Sequence, residues 1–159
     1  MKSTLNIILA AMLLLTLGAF TQTMKSDVWS PAQLLERAQH LKQLAAAADG
    51  SASETLEKFP RHYTMLAFRS RSGGGELHQN FADIFVILEG RATVVTGGEM
   101  ADPKTTAPAE IRGTSVKGGA GQQVKAGDVV HIPAGTPHQM VLADGDTVTY
   151  FVIKVQEKE

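Results

Sequence analysis

Histidine and carboxylate side chains are the residues of this sequence whose types and positions could do chemistry. His138 ends the run DVVHIPAGTPH, which also contains His131, while His78 and Asp83 lie in the stretch HQNFADIFVILEG. Neutral imidazole and carboxylate together bind divalent Fe, Mn, Ni, Cu or Zn, and ligand type alone does not choose among these ions. The chain has no cysteine, which excludes thiolate catalysis, thiolate metal sites and disulfides.

The run that ends at His138 has the residues of a strand followed by a tight reversal. Pro133 cannot donate to a strand ladder, and Gly135 permits the turn, so His138 is expected to begin the returning strand close to the protein interior. Val129 and His131 share one face of the preceding strand. If that face looks inward, His131 is a further ligand candidate; if not, it is a partly exposed strand histidine.

The clearest helix signal is SPAQLLERAQHLKQLAAAADG. Ser30 and Gln33 have the spacing of a capping box, and leucines and alanines follow at helical spacing. The next stretch, SASETLEKF, offers a second capping box between Ser51 and Glu54 and predicts a turn or two of helix. Residues 24–59 are therefore predicted to form an N-terminal helical segment.

From residue 60 to residue 156 the sequence consists of short apolar or alternating runs separated by glycine and proline turns. These runs include RHYTMLAFRSR, DIFVILEG, RATVVTGG, VVHIP, PHQMVL and TVTYFVIKV. The polar stretch 97–113, which contains two prolines, is interpreted as a long loop. Short strands at this spacing predict an antiparallel sandwich or barrel, with the helical segment packed outside it or over one end.

Residues 1–23 have the composition of a secretory signal peptide. Lys2 precedes an uncharged apolar run from Ile7 to Leu17, and small or polar residues follow. The run is about a dozen residues long, well short of the roughly 20 needed to span a bilayer. We expect a periplasmic or secreted protein with no transmembrane span after processing; the alternative is a membrane anchor formed by residues 5–20.

The charge balance excludes several classes of function. The chain has 15 Lys and Arg against 16 Asp and Glu, a net charge of −1, so it lacks the basic surface that nucleic acid or an anionic membrane requires. It also lacks a phosphate-binding loop, a dinucleotide fingerprint and a Gly-x-Ser-x-Gly nucleophile motif.

The second histidine segment resembles a motif of the cupin family of small jelly-roll barrels. Family members carry a glycine, five residues, a proline, any residue, a glycine, two residues and a histidine. The matching residues here are Gly127, Pro133, Gly135 and His138. Leu142 stands where the family usually has an asparagine.

The first family segment is a His-x-His pair, three or four residues, a glutamate, six residues and a glycine. With His78 aligned to the first histidine, Asn80 stands at the second, Asp83 at the glutamate and Gly90 at the glycine. The gap between Asn80 and Asp83 is then one residue short. Side chains alternate along a strand, so Asp83 would face away from His78 unless a bulge intervenes.

The resemblance implies a mainly β protein: a single cupin-type antiparallel jelly-roll β-barrel over residues 60–156, preceded by a short α-helical segment. It also implies a divalent metal site in the barrel and a pocket for a small organic molecule. The implied metal ligands are His78, Asp83 and His138, with His131 as a possible substitute for the missing histidine. The candidate ligand-binding residues are Asn80, Tyr63 and Arg69.

Two functions stay open at this point. The first is a metal-dependent enzyme, since the family includes oxygenases, isomerases, lyases and decarboxylases. The second is a non-catalytic module that binds a small ligand without metal, which the incomplete histidine set favours. The resemblance also makes a homodimer possible.

Overall fold

The computed structural model of the protein describes residues 26–158, in which helix α1 (Pro31–Ala47) is followed by antiparallel strands. The predicted signal peptide lies outside these residues. No helix in the described part of the chain is long and apolar enough to cross a bilayer. The strands are β1 (Ser51–Lys58), β2 (His62–Arg69), β3 (Gly75–His78), β4 (Phe81–Thr96), β5 (Glu99–Ala101), β6 (Lys104–Ala107), β7 (Glu110–Gly113), β8 (Ser115–Lys117), β9 (Ala120–Lys125), β10 (Val129–Ile132), β11 (His138–Val141) and β12 (Val148–Gln156).

Ten of these strands form one curled antiparallel sheet, in the order β1-β2-β12-β4-β11-β3-β7-β6, with β9 and β10 also paired to β4. Strand β4 belongs to both halves of the sheet: its first half pairs with β10 and β12, and its second half pairs with β9 and β11. Strands β5 and β8 form a separate two-stranded ribbon. This architecture confirms the predicted antiparallel barrel.

Gly90 allows β4 to continue from one half of the sheet into the other. Its φ of +80° is in the left-handed region, and a Cβ atom added there would lie 1.9 Å from the Thr147 carbonyl oxygen. Beside it the register between β4 and β12 shifts at Thr149 and Tyr150, as in a β-bulge. The bend turns successive parts of β4 around a common interior.

Helix α1 covers the outer face of this sheet. It begins with the predicted capping box, in which the Ser30 side chain accepts from the Gln33 backbone. Its apolar stripe packs on β2, where the outward side chains of Leu66 and Phe68 alternate with Ala67, which points into the barrel core. The prediction of a helix packed against the outside of the barrel is confirmed.

The second predicted helix is wrong, because residues 51–58 form strand β1 and pair with β2. The two residues of the Ser-x-x-Glu pattern make other contacts instead of a capping box. Ser51 bonds to the Asp49 carboxylate, and Glu54 pairs with Arg37 on α1. Pairing with β2 supplies the backbone hydrogen bonds that one isolated helical turn could not, so tertiary context overrides the local signal.

The predicted long loop over residues 97–113 is also wrong, since it contains β5, β6 and β7. Strand β7 pairs with β3 from Gly75↔Gly113 to His78↔Glu110. This pairing places Glu110 directly opposite His78 and thereby brings the stretch into the functional site.

Candidate metal centre and ligand cavity

Residues from seven strands line a cavity of about 400 Å³ inside the barrel. Alternation along each strand selects them, because every second side chain points inward. The ionisable residues that line the cavity are Tyr63 and Arg69 on β2, Glu76 and His78 on β3, Asp83 on β4, Glu110 and Arg112 on β7, His138 on β11, and Tyr150 and Lys154 on β12.

Two buried histidines at the centre of this cavity are held through their Nδ1 atoms. His78 Nδ1 lies 2.6 Å from Glu110 Oε2, and His138 Nδ1 lies 3.0 Å from the Thr136 carbonyl oxygen. A carbonyl oxygen can only accept, so Nδ1 of His138 donates, and the carboxylate oxygen beside Nδ1 of His78 is likewise suited to accept. Nε2 is then the nitrogen of each ring that points away from these supports.

The two Nε2 atoms are buried and make no hydrogen bond within residues 26–158, although each lies 3.4–3.5 Å from a carboxylate oxygen. With one Glu76 carboxylate oxygen they form a group whose ligand atoms all lie within 4.8 Å of one another. A buried polar atom without a partner costs free energy, and two of them converge here beside a carboxylate. These three residues fit a divalent metal ion.

Asp83 lies beside this group but is already paired. Its Oδ2 is 3.5 Å from His78 Nε2 and 3.4 Å from His138 Nε2, whereas the Lys154 ammonium lies 2.6 Å from Oδ1 and 2.8 Å from Oδ2. Burial opposes ionisation of Asp83, but contact with His138 and the charge of Lys154 outweigh it and lower the carboxyl pKa. Asp83 is therefore an ionised partner of Lys154.

Glu76 is flanked by two arginines. Arg112 forms an ion pair with its Oε2, and the Nη2 atom of Arg69 lies 3.1 Å from its Oε1. Burial alone would raise the pKa of this carboxyl, but contact with His78 and the two guanidinium charges hold it well below its usual range. Arg112 also lies 3.2 Å from Glu110 Oε2, which links the carboxylates on β3 and β7.

The two tyrosines remain neutral hydrogen-bonding groups. Arg69 donates from Nε to the Tyr150 hydroxyl at 3.0 Å. Burial raises the pKa of Tyr150 despite the nearby guanidinium charge, and burial likewise raises the pKa of Tyr63. Their phenols can bond to a molecule in the cavity.

The structure brings together five of the seven residues predicted for the site, and His131 is not among them. Its side chain is 57% exposed, with Nε2 3.9 Å from Glu157 Oε1. The next residue, Ile132, is buried in the barrel core, so the face that carries His131 looks outward. The prediction that His131 could replace the missing histidine is therefore wrong.

Asn80 also lies outside the cavity, in the turn between β3 and β4. Its backbone carbonyl accepts from the amides of Glu157 and Lys158, at 2.9 and 3.3 Å. The turn explains why Asp83 reaches His78 in spite of the alternation rule. The two residues are on different strands, so the alternation of faces does not run from one to the other.

Glu76 is the ligand candidate that the sequence reasoning missed, and its signal was present in the tripeptide ELH. If Glu76 and His78 occupy the positions of the His-x-His pair, four residues separate His78 from Asp83 and six separate Asp83 from Gly90. This alignment satisfies the whole spacing of the first family segment. Glutamate thus stands at the first histidine position.

Lys154, Glu110 and Arg112 were missed for two reasons. Lys154 follows Tyr150 and Val152 at a period of two, which is a signal that the last strand did provide. Glu110 and Arg112 had no comparable signal, because β7 was interpreted as part of a loop.

The comparisons with known proteins rest on structure. No protein-family model and no curated protein matches the sequence. The DMSP lyase DddQ from Ruegeria pomeroyi DSS-3 is 17% identical with a TM-score of 0.51; the match covers 70% of this chain and 49% of that one. The Cnp3 cupin domain from Schizosaccharomyces pombe is 13% identical with a TM-score of 0.51, over 67% of this chain and 65% of that one.

The chain has the cupin fold. This confirms the fold that the motif resemblance implied. A Cupin 2 conserved barrel domain protein from Salinispora arenicola CNS-205 is also similar, at 18% identity and a TM-score of 0.48, over 69% of this chain and 79% of that one. The chain spans about half the length of the lyase. At these identities the likeness concerns the fold, and function must be argued from the residues of the cavity.

Proposed function

We propose that the protein binds one divalent metal ion through His78, His138 and Glu76 and takes a small organic molecule into the adjoining cavity. The observation that carries this proposal is the pair of buried Nε2 atoms, which make no hydrogen bond within the described residues and lie beside carboxylate oxygens. A structural histidine pair would be expected to use both nitrogens of each ring.

The supports behind the two rings strengthen the proposal. A metal-binding histidine usually donates its other nitrogen to a carboxylate or backbone carbonyl, which fixes the orientation of the ring. Glu110 provides this contact for His78, and the Thr136 carbonyl provides it for His138. Both rings thus present Nε2 to the same small group of ligand atoms.

A divalent ion held by three protein ligands would supply Lewis-acid or oxygen-activating chemistry to the molecule bound beside it. The protein's own residues would orient that molecule. Arg69 holds the Tyr150 hydroxyl in place at 3.0 Å, and Arg112 lies at the more exposed side of the site. The cavity volume of about 400 Å³ suits a small organic compound.

The direct test is the metal content of the purified protein after loading with Fe, Mn, Ni, Cu or Zn and removal of excess ion. We expect about one ion per chain in the wild type and loss of that ion in His78→Ala and His138→Ala. His131→Ala is the matched control, because it removes an exposed histidine from the outer face, and it should bind metal like the wild type.

A supporting variant, Glu110→Ala, removes the carboxylate behind His78 without removing a ligand. We expect metal affinity to fall about 10–100-fold, which is the usual effect of losing such a contact. A wild-type protein that binds none of the five ions, or an equal loss in His131→Ala, would contradict the proposal.

The second candidate function is a small-molecule-binding module without metal. The two carboxylates beside the Nε2 atoms already have cationic partners, Lys154 for Asp83 and Arg112 for Glu76. Charge compensation is thus complete without an added ion. The same metal measurement decides between the candidates.

We also infer that the protein is exported. The support is the apolar run from Ile7 to Leu17 in the sequence, which has the length of a signal-peptide core. Cell fractionation with N-terminal sequencing tests this, and we expect a mature chain that begins close to residue 24 in the exported fraction.

A further inference from the structure

The charges that line the cavity are balanced before any metal is bound. Among the described residues, three cations and three carboxylates line it: Arg69, Arg112, Lys154, Glu76, Asp83 and Glu110. Ion pairs connect each of these carboxylates to at least one of the cations. A divalent ion added to this set leaves two positive charges in a largely buried space.

An excess of positive charge in a site of low dielectric constant favours an anionic ligand. The cavity has a residue suited to hold one. Arg112 is the most exposed of the three cations, with 42% of its side chain accessible against 18% for Arg69 and 8% for Lys154. Its present partners are the carboxylates of Glu76 and Glu110.

The remaining walls define the other part of the ligand. Met65, Phe85, Met140 and Val152 line the cavity beside the charged group. A molecule with one anionic end and one apolar end would place its charge near the guanidinium and its hydrocarbon part against these side chains.

We propose that the ligand is a small organic acid with an apolar portion, whose carboxylate binds Arg112 when Glu76 turns to the metal. This inference rests on the proposed function. The Glu76 carboxylate forms an ion pair with Arg112 in the metal-free protein. If Glu76 ligates a metal ion, it neutralises Arg112 less. The planar guanidinium can then form two parallel hydrogen bonds to the carboxylate of the incoming acid. Metal binding and acid binding are thereby coupled through Glu76.

The test is calorimetric titration of the full-length protein, first loaded with Zn²⁺ and then without metal. The probes are phenylacetate and 4-methylpentanoate, each compared with its neutral amide of nearly equal shape. With Zn²⁺ bound we expect each acid to bind at least about tenfold more tightly than its amide, and we expect this ratio to be smaller without metal.

Arg112→Gln should remove most of the preference for acid over amide in the Zn²⁺-loaded protein, and Arg112→Lys should restore only part of it. Arg91→Gln, at an exposed arginine outside the cavity, should leave the preference for acid over amide unchanged.

Zn²⁺ stoichiometry is measured on every sample. Failure of the wild type to bind Zn²⁺ overturns the proposed function itself. Stoichiometric Zn²⁺ with equal affinity for acid and amide, or with no binding of either, overturns the organic-acid inference alone.

Discussion

The two faces of the central strands have opposite character. On the outer face, Leu66 and Phe68 of β2 meet a buried apolar stripe of α1. On the inner face of the same strand, Ala67 packs in the barrel core and Arg69 reaches into the cavity. Strand β12 shows the same contrast, with Phe151 turned to the helix and Lys154 turned inward.

The apolar outer face contributes to stability, whereas the charged inner face carries the candidate site. Apolar residues of similar size would pack on the inner face without the cost of removing charges from water. A fully apolar interior would therefore serve the fold without the ionised groups that line the cavity. On the outer face, the contact between α1 and the sheet stabilises the protein by burying apolar surface.

Among variants of the two faces, removal of the Lys154 cation should lower the free energy of unfolding most. Lys154→Met leaves the Asp83 carboxylate buried without its counter-charge, and we expect the free energy of unfolding to fall by about 3–5 kcal/mol in urea denaturation. Saturating Zn²⁺ should recover part of this loss, since both oxygens of Asp83 become free beside the two Nε2 atoms. Arg91→Met, in the exposed pair with Asp146, is the control, and an equal loss there would contradict the prediction.

A cavity under the helix should destabilise the protein without changing the site. Leu41 is 1% exposed, so Leu41→Ala should lower the free energy of unfolding by about 2–5 kcal/mol. Metal affinity of the folded variant should equal that of the wild type. Leu44→Ala, on the same helix but 47% exposed, should change stability by about 0.5 kcal/mol or less. A change in metal affinity in Leu41→Ala would show that the two faces are coupled.

Low pH should remove the stability that the ionised Asp83 contributes on the inner face. The folded-state pKa of Asp83 is lowered, against an unfolded value of about 4. Its ionised form therefore stabilises the fold above that value, and the stabilisation is lost as the pH falls through the lowered pKa.

The double variant Asp83→Asn/Lys154→Met tests this by removing both charges. In metal-free protein it should lose less stability between about pH 5 and pH 3 than the wild type does. Leu41→Ala should keep the wild-type pH dependence, because Leu41 belongs to the apolar cluster between α1 and the sheet. Identical slopes in all three proteins would contradict the assignment.

The smallest effect is expected at the exposed edge of the outer face. Arg37 and Glu54 form an ion pair of 2.6 Å with both side chains partly in solvent. A double-mutant cycle with Arg37→Ala and Glu54→Ala should give a coupling energy of about 0.2–1 kcal/mol. A coupling energy as large as the loss of stability expected for Lys154→Met would remove the distinction between the buried and exposed pairs.

Local patterns in the sequence predicted some elements well and others poorly. The capping box at Ser30 predicted α1 because a long apolar stripe follows it. The same pattern at Ser51 failed, since pairing with β2 outweighs the signal of a few residues. The strands of the 97–113 stretch were missed because they are short and polar, and β6 is exposed throughout, so burial leaves no alternation in it.

The candidate site was predicted in part, for related reasons. His138 followed from the spacing of glycine and proline before it, and Asp83 from its distance to Gly90. Glu76 was missed because His78 was aligned one histidine position too early. The orientation of His131 depends on which face of β10 turns to the core, and its own residue type does not reveal that.

The sequence by itself determined the antiparallel β architecture, the helix before it and the turn that delivers His138, because alternation, capping and turn geometry act over a few neighbouring residues. Only the tertiary structure decided which charges share the cavity. Lys154 pairs with Asp83 across strands, and β7 brings Glu110 to His78, at sequence separations of 71 and 32 residues. Such pairs depend on strand register across the sheet, which no local pattern specifies.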